Sequence, residues 1–154
     1  MTELDHISDQ LNRTFNGNAW YGPSVKEVLE GVPAKTAARK PLSGAHSIWE
    51  LVHHLTSWTD IGRRRAQGEI VELTPELDWP PVNDASEGAW NWALRRLETA
   101  QRELVDLLPA LAKAQLDAPP VKGAAPLYLL LNGIVQHFIY HAGQLAILKQ
   151  TKQP

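Results

Sequence analysis

Apolar residues recur every three or four positions along most of this chain, which is the spacing of an amphipathic helix. No segment alternates apolar and polar residues in the way that a half-buried strand would. Long helices are predicted at about residues 2–16, 47–67 and 84–108, and from residue 126 to the C-terminal region. The pattern therefore predicts an all-α fold.

Capping and breaking residues mark the ends of these helices. Ser47, with Glu50 three positions later, forms the pattern of a capping box at the start of the second long helix. Ser24 is expected to cap a short helix that continues to Leu29, and Pro126 suits the first turn of the last helix. Residues 109–123 are expected to form no long helix, and at most one short helix at about 110–116.

The connection between the second and third long helices covers residues 68–82 and contains three prolines. At roughly 3.3 Å per residue, such a connection can span the length of a bundle. The two helices that it joins can therefore run parallel. The prediction is one four-helix-bundle domain over residues 1–154, with up-down-down-up order and a long crossover between helices 2 and 3.

Two histidines, His137 and His141, stand four residues apart in the last helix and so share a face. That face is apolar, and it includes Leu127, Leu130, Leu131, Ile134, Phe138, Leu145 and Leu148. Imidazole is costly to bury without a partner, and a bound metal ion would account for both rings. The alternative is that they are surface residues or core residues with ordinary hydrogen-bond partners.

The second long helix offers a third imidazole. On a helical wheel, His54 lies on the flank of the apolar stripe and can point into the bundle, whereas His53 is expected to face solvent. His46 precedes the helix, about two turns from His54, and is expected at the mouth of a cavity. Trp58, one turn after His54, could form a cavity wall, and His6 suggests no site.

Acidic residues near these histidines have simpler explanations than catalysis. Glu50 could orient a ligand or act as a base, but it is better explained by the capping box. Asp60 follows His54 by roughly 240° around the helix and is expected to face solvent. Most of the tryptophans are expected to be core or loop anchors.

Three imidazoles from two helices would leave coordination positions open, which is typical of a catalytic or ligand-accepting metal. Their neutrality leaves the full charge of the ion available to acidify water or to hold a thiolate. The chain has no nucleophile elbow and no glycine-rich phosphate loop.

Composition and charge limit the partners and the cellular location that we expect. The chain has 154 residues, a formal net charge of −2 and no cysteine. The mixed charges predict no nucleic-acid partner, and the lack of cysteine and of a signal peptide favours a cytoplasmic location. Residues 127–148 are long enough to test as a membrane span, but their polar side chains argue against one.

Three stretches resemble the DinB/YfiT-like family of metal-dependent enzymes, and together they span most of the chain. They are AWYGPSV at 19–25, SIWELVHHLTSW at 47–58 and HFIYHAGQL at 137–145. The resemblance implies an up-down-down-up bundle whose metal ligands match His54, His137 and His141. It also implies zinc or nickel as the metal, frequent homodimers, and low-molecular-weight thiols such as mycothiol or bacillithiol as cofactors.

The first interpretation is therefore a metal-dependent enzyme that acts on a small molecule, as a thiol-dependent S-transferase or a metal-assisted hydrolase. The alternative is a non-catalytic, stress-related protein that binds a metal or a small ligand. A helical dimerisation module without metal is a third interpretation.

Overall fold

The computed structural model describes residues 1–111 and 116–151, and every regular element in these residues is helical. Three short helices accompany four long ones. In chain order the elements are α1 (Glu3–Asn16), α2 (Val25–Leu29), α3 (Ala34–Ala37), α4 (Ile48–Ala66), α5 (Pro75–Asp78), α6 (Glu87–Leu107), a 3₁₀ turn (Leu108–Ala110) and α7 (Leu127–Gln150).

Side-chain caps define where several helices begin. Ser47 accepts a hydrogen bond from the Glu50 backbone N–H, and the Glu50 carboxylate accepts one from the Ser47 N–H, so the predicted capping box is confirmed. Thr2 and Ser24 form equivalent boxes at α1 and α2. These bonds satisfy backbone donors that have no partner within the helix.

The four long helices pack around a shared apolar core, and each contacts two others: α1 packs on α6 and α7, and so does α4. Trp49 and Trp90, near the starts of α4 and α6, have ring centroids 5.0 Å apart. Arg63 and Glu103, near the ends of the same helices, approach to 3.6 Å. The two helices therefore run parallel, as predicted from the long connection between them.

Helix α7 runs antiparallel to α4. His54, in the first half of α4, lies beside His141 in the second half of α7. Gly62, near the end of α4, packs against Ile134 in the first half of α7, and a Cβ at this glycine would overlap the isoleucine side chain. None of the described helices combines the length and the apolar character needed to cross a membrane.

The structure differs from the sequence-based expectations mainly at element ends and in the connections. Helices α3 and α5 were not predicted, and each is only one turn long. Helix α6 begins at Glu87 rather than near residue 84, and Pro126 is the N-cap of α7 instead of a residue of its first turn. Residues 112–115, within the short helix predicted at 110–116, lie outside the described residues.

The capping box of α4 gives the first prediction. Ser47→Ala removes the acceptor for the Glu50 N–H at a buried position, and it should lower the free energy of unfolding by about 1 kcal/mol. Urea denaturation followed by circular dichroism measures the change. Ser43→Ala, in the exposed loop before the helix, is the matched control and should change stability by less than about 0.5 kcal/mol. Equal effects would contradict the role of the cap.

Candidate metal centre

Helices α4 and α7 bring three imidazoles to one point. The Nε2 atom of His137 lies 3.0 Å from Nε2 of His54 and 2.9 Å from Nε2 of His141. His54 and His141 are only 6% and 5% exposed, and His137 is half-buried. The structure thus assembles the three histidines that the sequence singled out.

Carbonyl oxygens accept hydrogen bonds from the Nδ1 atoms of two of the rings, on the side away from the centre of the cluster. The Nδ1–H of His54 donates to the backbone oxygen of Asp78 at 2.6 Å, and the Nδ1–H of His141 donates to the amide oxygen of Gln144 at 2.6 Å. Because these oxygens can only accept, Nδ1 must carry the hydrogen in both neutral rings. Their Nε2 atoms are therefore bare and present lone pairs to the centre.

The third ring cannot satisfy both of these lone pairs. Burial, followed by repulsion from His141 and His54, lowers the pKa of His137 to about 3, so this ring is neutral near pH 7. A neutral His137 can offer at most one hydrogen from Nε2, which leaves another nitrogen without a donor. Burial also lowers the pKa of His54 and of His141. A cation is the group that would satisfy three converging lone pairs.

The distances between the Nε2 atoms also agree with a bound cation. Imidazole nitrogens bind zinc at about 2.0–2.1 Å, so two of them on one ion stand roughly 3 Å apart. The two Nε2–Nε2 separations of 2.9 and 3.0 Å have this magnitude. The donor set therefore fits a divalent metal ion in chemistry, protonation and distance.

The connection between α4 and α6 contributes two groups that sequence reasoning missed. The indole of Trp79 stacks on the His54 ring, with centroids 3.8 Å apart and an interplanar angle of 9°. The Asp78 carboxylate accepts a hydrogen bond from the Trp58 indole N–H at 2.7 Å and lies 3.3 Å from Nδ1 of His54. Neither residue lies in a periodic segment, so no sequence pattern distinguished them from other loop residues.

The expectation that His53 faces solvent is wrong. Its Nε2 accepts a hydrogen bond from the Trp49 indole N–H at 3.0 Å, and its Nδ1 lies 3.2 Å from the Pro80 backbone oxygen. The α4–α6 connection folds back along this flank of α4, and a helical wheel contains no information about such a covering segment. His53 is therefore a half-buried link between α4 and the connection, outside the cluster of three.

His46 also lies outside the cluster. Its ring stacks on the other face of Trp79, with centroids 3.5 Å apart, so the indole separates His46 from His54. Asp60 pairs with Arg63 at 2.6 Å and takes no part in the cluster, in line with the sequence analysis. His6 is exposed on α1.

A cavity of about 720 Å³ opens beside the cluster, and His54 and His137 form part of its wall. Trp58 also lines it, as expected, together with apolar residues of α7 such as Leu130 and Ile134. The segment 120–125 also lines the cavity. The cluster is thus covered by Trp79 at the His54 ring, and it reaches an open chamber through His54 and His137.

Comparison with known proteins identifies the family. The sequence pattern of the DinB superfamily matches residues 23–145, a span that includes α2 to α6 and the three histidines. No curated protein and no solved structure matches the chain. Because the family pattern covers most of its length, the chain belongs to the DinB superfamily.

Proposed function

We propose that this protein is a metal-dependent enzyme that acts on a small molecule, as a thiol-dependent S-transferase or a metal-assisted hydrolase. His54, His137 and His141 would be the metal ligands. One observation carries the proposal: three neutral imidazole nitrogens converge at the wall of an open cavity. A closed structural site would have its fourth ligand in the protein, whereas an open site leaves room for a substrate.

A divalent ion held by three neutral ligands would keep its full charge, and it would lower the pKa of a bound water or favour a thiolate. The protein's own groups prepare this environment. Asp78 and Gln144 orient two of the rings, Trp79 supports the His54 ring, and Trp58 provides an apolar wall beside the open side. Such supporting contacts fix the direction in which each Nε2 lone pair points.

The cavity has the size and character of a small-molecule site. Its volume of about 720 Å³ lies within the common range for ligand pockets, roughly 300–1,000 Å³. Its wall is mostly apolar, with charged groups at a few positions. A low-molecular-weight thiol and an organic substrate are therefore the proposed occupants, and zinc or nickel is the proposed metal.

Three expectations about the whole molecule stay predictions. The first is a single domain over residues 1–154 with complete up-down-down-up order, which the parallel α4 and α6 support. The second is a cytoplasmic location. The third is a homodimer, for which the exposed apolar side chains on one face of α7 argue: Leu129, Tyr140 and Ile147 are 52%, 66% and 61% exposed.

The ligand assignment predicts distinct effects of the neighbouring histidines. His54→Ala, His137→Ala and His141→Ala should each abolish stoichiometric binding of a divalent metal, because each removes one of the converging nitrogens. His53→Ala should keep the stoichiometry and lower the melting temperature, because it breaks the link between Trp49 and Pro80. Elemental analysis and thermal denaturation measure the two properties.

His6→Ala, at an exposed position of α1, is the control for this series and should change neither property. Loss of metal from the His53 variant would show that the assignment within α4 is incorrect.

The Gln144 contact predicts a graded effect. Gln144→Leu removes the acceptor for the His141 Nδ1–H and should weaken metal affinity by about 10- to 100-fold. Gln144→Glu keeps an acceptor and should retain the affinity. Competition with a chromogenic chelator measures it, and Gln136→Leu, at an exposed position of the same helix, is the matched control. An unchanged affinity in Gln144→Leu would mean that this contact does not support the ligand.

Cobalt substitution tests the proposed function directly. Thiols at millimolar concentration should add charge-transfer absorption to the cobalt-loaded protein, because a thiolate is attracted to a metal with three neutral ligands. Trp58, whose ring centroid is 6.3 Å from that of His54, should report the same event by fluorescence. If cobalt binds and no thiol changes its spectrum, the S-transferase interpretation fails. If neither thiols nor hydrolysable esters and amides react, a non-catalytic binding protein is the better interpretation.

A further inference from the structure

The cavity has a second polar end, which is formed by Arg65. This residue follows His54 by eleven positions in α4, or roughly 20° around the helix, so the two side chains lie on the same side. Trp58 lies between them. Its ring centroid is 6.3 Å from that of His54 and 5.8 Å from the Arg65 guanidinium carbon. Placed end to end, these distances limit the separation of the His54 ring and the guanidinium to about 12 Å.

Arg65 differs in its ion pairing from the two arginines that precede it. Arg63 pairs with Asp60 and Glu103, and Arg64 pairs with Asp60 and Glu69. Within residues 1–111 and 116–151, no carboxylate forms an ion pair with Arg65. The Glu69 carboxylate also lines the cavity, but it is bound by the Arg64 guanidinium.

The Arg65 guanidinium is held in place and still has donors to offer. One of its N–H groups donates to the Val71 backbone oxygen at 2.9 Å, and its carbon lies over the Trp58 ring. A guanidinium has five N–H donors in a rigid plane, and this geometry suits a carboxylate. The side chain is half-buried, so a bound anion would be only partly screened by water.

The wall between the two ends is apolar. The indole of Trp58 and the side chains of Leu130 and Ile134 line it. The cavity therefore offers three consecutive environments: imidazole nitrogens, an apolar surface, and a guanidinium that has no acidic partner among the described residues. Lys122, which is exposed at the rim, adds a second positive charge.

We propose that Arg65 binds a terminal carboxylate of the substrate or thiol cofactor, so that the cavity selects small organic acids whose other end reaches the three histidines. This inference rests on the proposed function, since it places the reacting end of the molecule at the metal. A carboxylate suits the site better than a phosphate dianion, because one guanidinium with an N–H group already bound to Val71 supplies a single charge and few donors.

Two thiols of equal length test the proposal. Cobalt-loaded protein is titrated with 6-mercaptohexanoate and with 6-mercaptohexanol, which differ only at the end remote from sulfur. Charge-transfer absorption gives each affinity. The carboxylate should bind at least about tenfold more tightly, as expected for a charge-assisted hydrogen bond. The short 3-mercaptopropionate should show a smaller advantage over its alcohol, because its carboxylate cannot reach Arg65.

Variants assign the preference to a residue. In Arg65→Gln the two six-carbon thiols should bind equally. Arg96→Gln is the matched control, because Arg96 also lies over an indole, with its guanidinium carbon 5.7 Å from the Trp92 ring centroid, but it is exposed on α6. This control removes the same charge and should keep the preference. A preference that survives in Arg65→Gln, or is lost equally in both variants, overturns the proposal.

A metal-free arm separates this inference from the proposed function. Octanoate, which carries no thiol, should change the tryptophan fluorescence of the apoprotein, whereas octanol should change it at least about tenfold less at equal concentration. Arg65→Gln should remove the octanoate response, and Arg96→Gln should keep it. If thiols do not change the cobalt spectrum but the octanoate response depends on Arg65, the S-transferase interpretation fails and the carboxylate site is supported. If octanoate gives no response that depends on Arg65, the carboxylate site fails.

Discussion

The mutual repulsion of three imidazole lone pairs is the constraint around which this protein is arranged. Nε2 atoms 2.9 to 3.0 Å apart are unfavourable neighbours unless a proton or a cation lies between them. Burial lowers the pKa of all three rings, and repulsion from His141 and His54 lowers that of His137 further, so protons can supply only part of what is needed. The acceptors behind His54 and His141 prevent those two rings from turning away. The local structure is thus preorganised for a positive ion.

The topology and the site depend on each other. Because α4 and α6 run parallel, the chain must return along α4 before α6 can begin. That returning segment covers the flank of α4 that carries the histidines, and it is held there by side-chain bonds. Ser57 donates to the Leu77 backbone oxygen, Trp58 donates to Asp78, and His53 lies within hydrogen-bond distance of Pro80. The same crossover supplies the acceptor for His54 and the indole that stacks on it.

The surroundings of the cluster are asymmetric. Trp79 covers the His54 ring on one face, and His46 covers the far side of Trp79, so this flank is closed by stacked rings. The other flank opens to the cavity, where Trp58 lies between the histidines and Arg65. With a metal bound at the three histidines, positive charge would lie at both ends of this chamber. The proposed chamber would then favour anions that are long enough to reach both ends.

The sequence by itself determined the helices and the histidines on their inner faces. Three local features were sufficient for this, because each depends on one segment alone. They are the spacing of His137 and His141 within an apolar stripe, the capping box of Ser47 and the length of the α4–α6 connection. The wheel of α4 also distinguished His54 from His53. Only the tertiary structure showed that His53 is covered, that Asp78 and Trp79 adjoin His54, and that Arg65 faces the cavity. Those contacts join a helix to segments that have a different hydrophobic periodicity or no periodicity. The sequence pattern of a helix does not indicate which other segment packs against it.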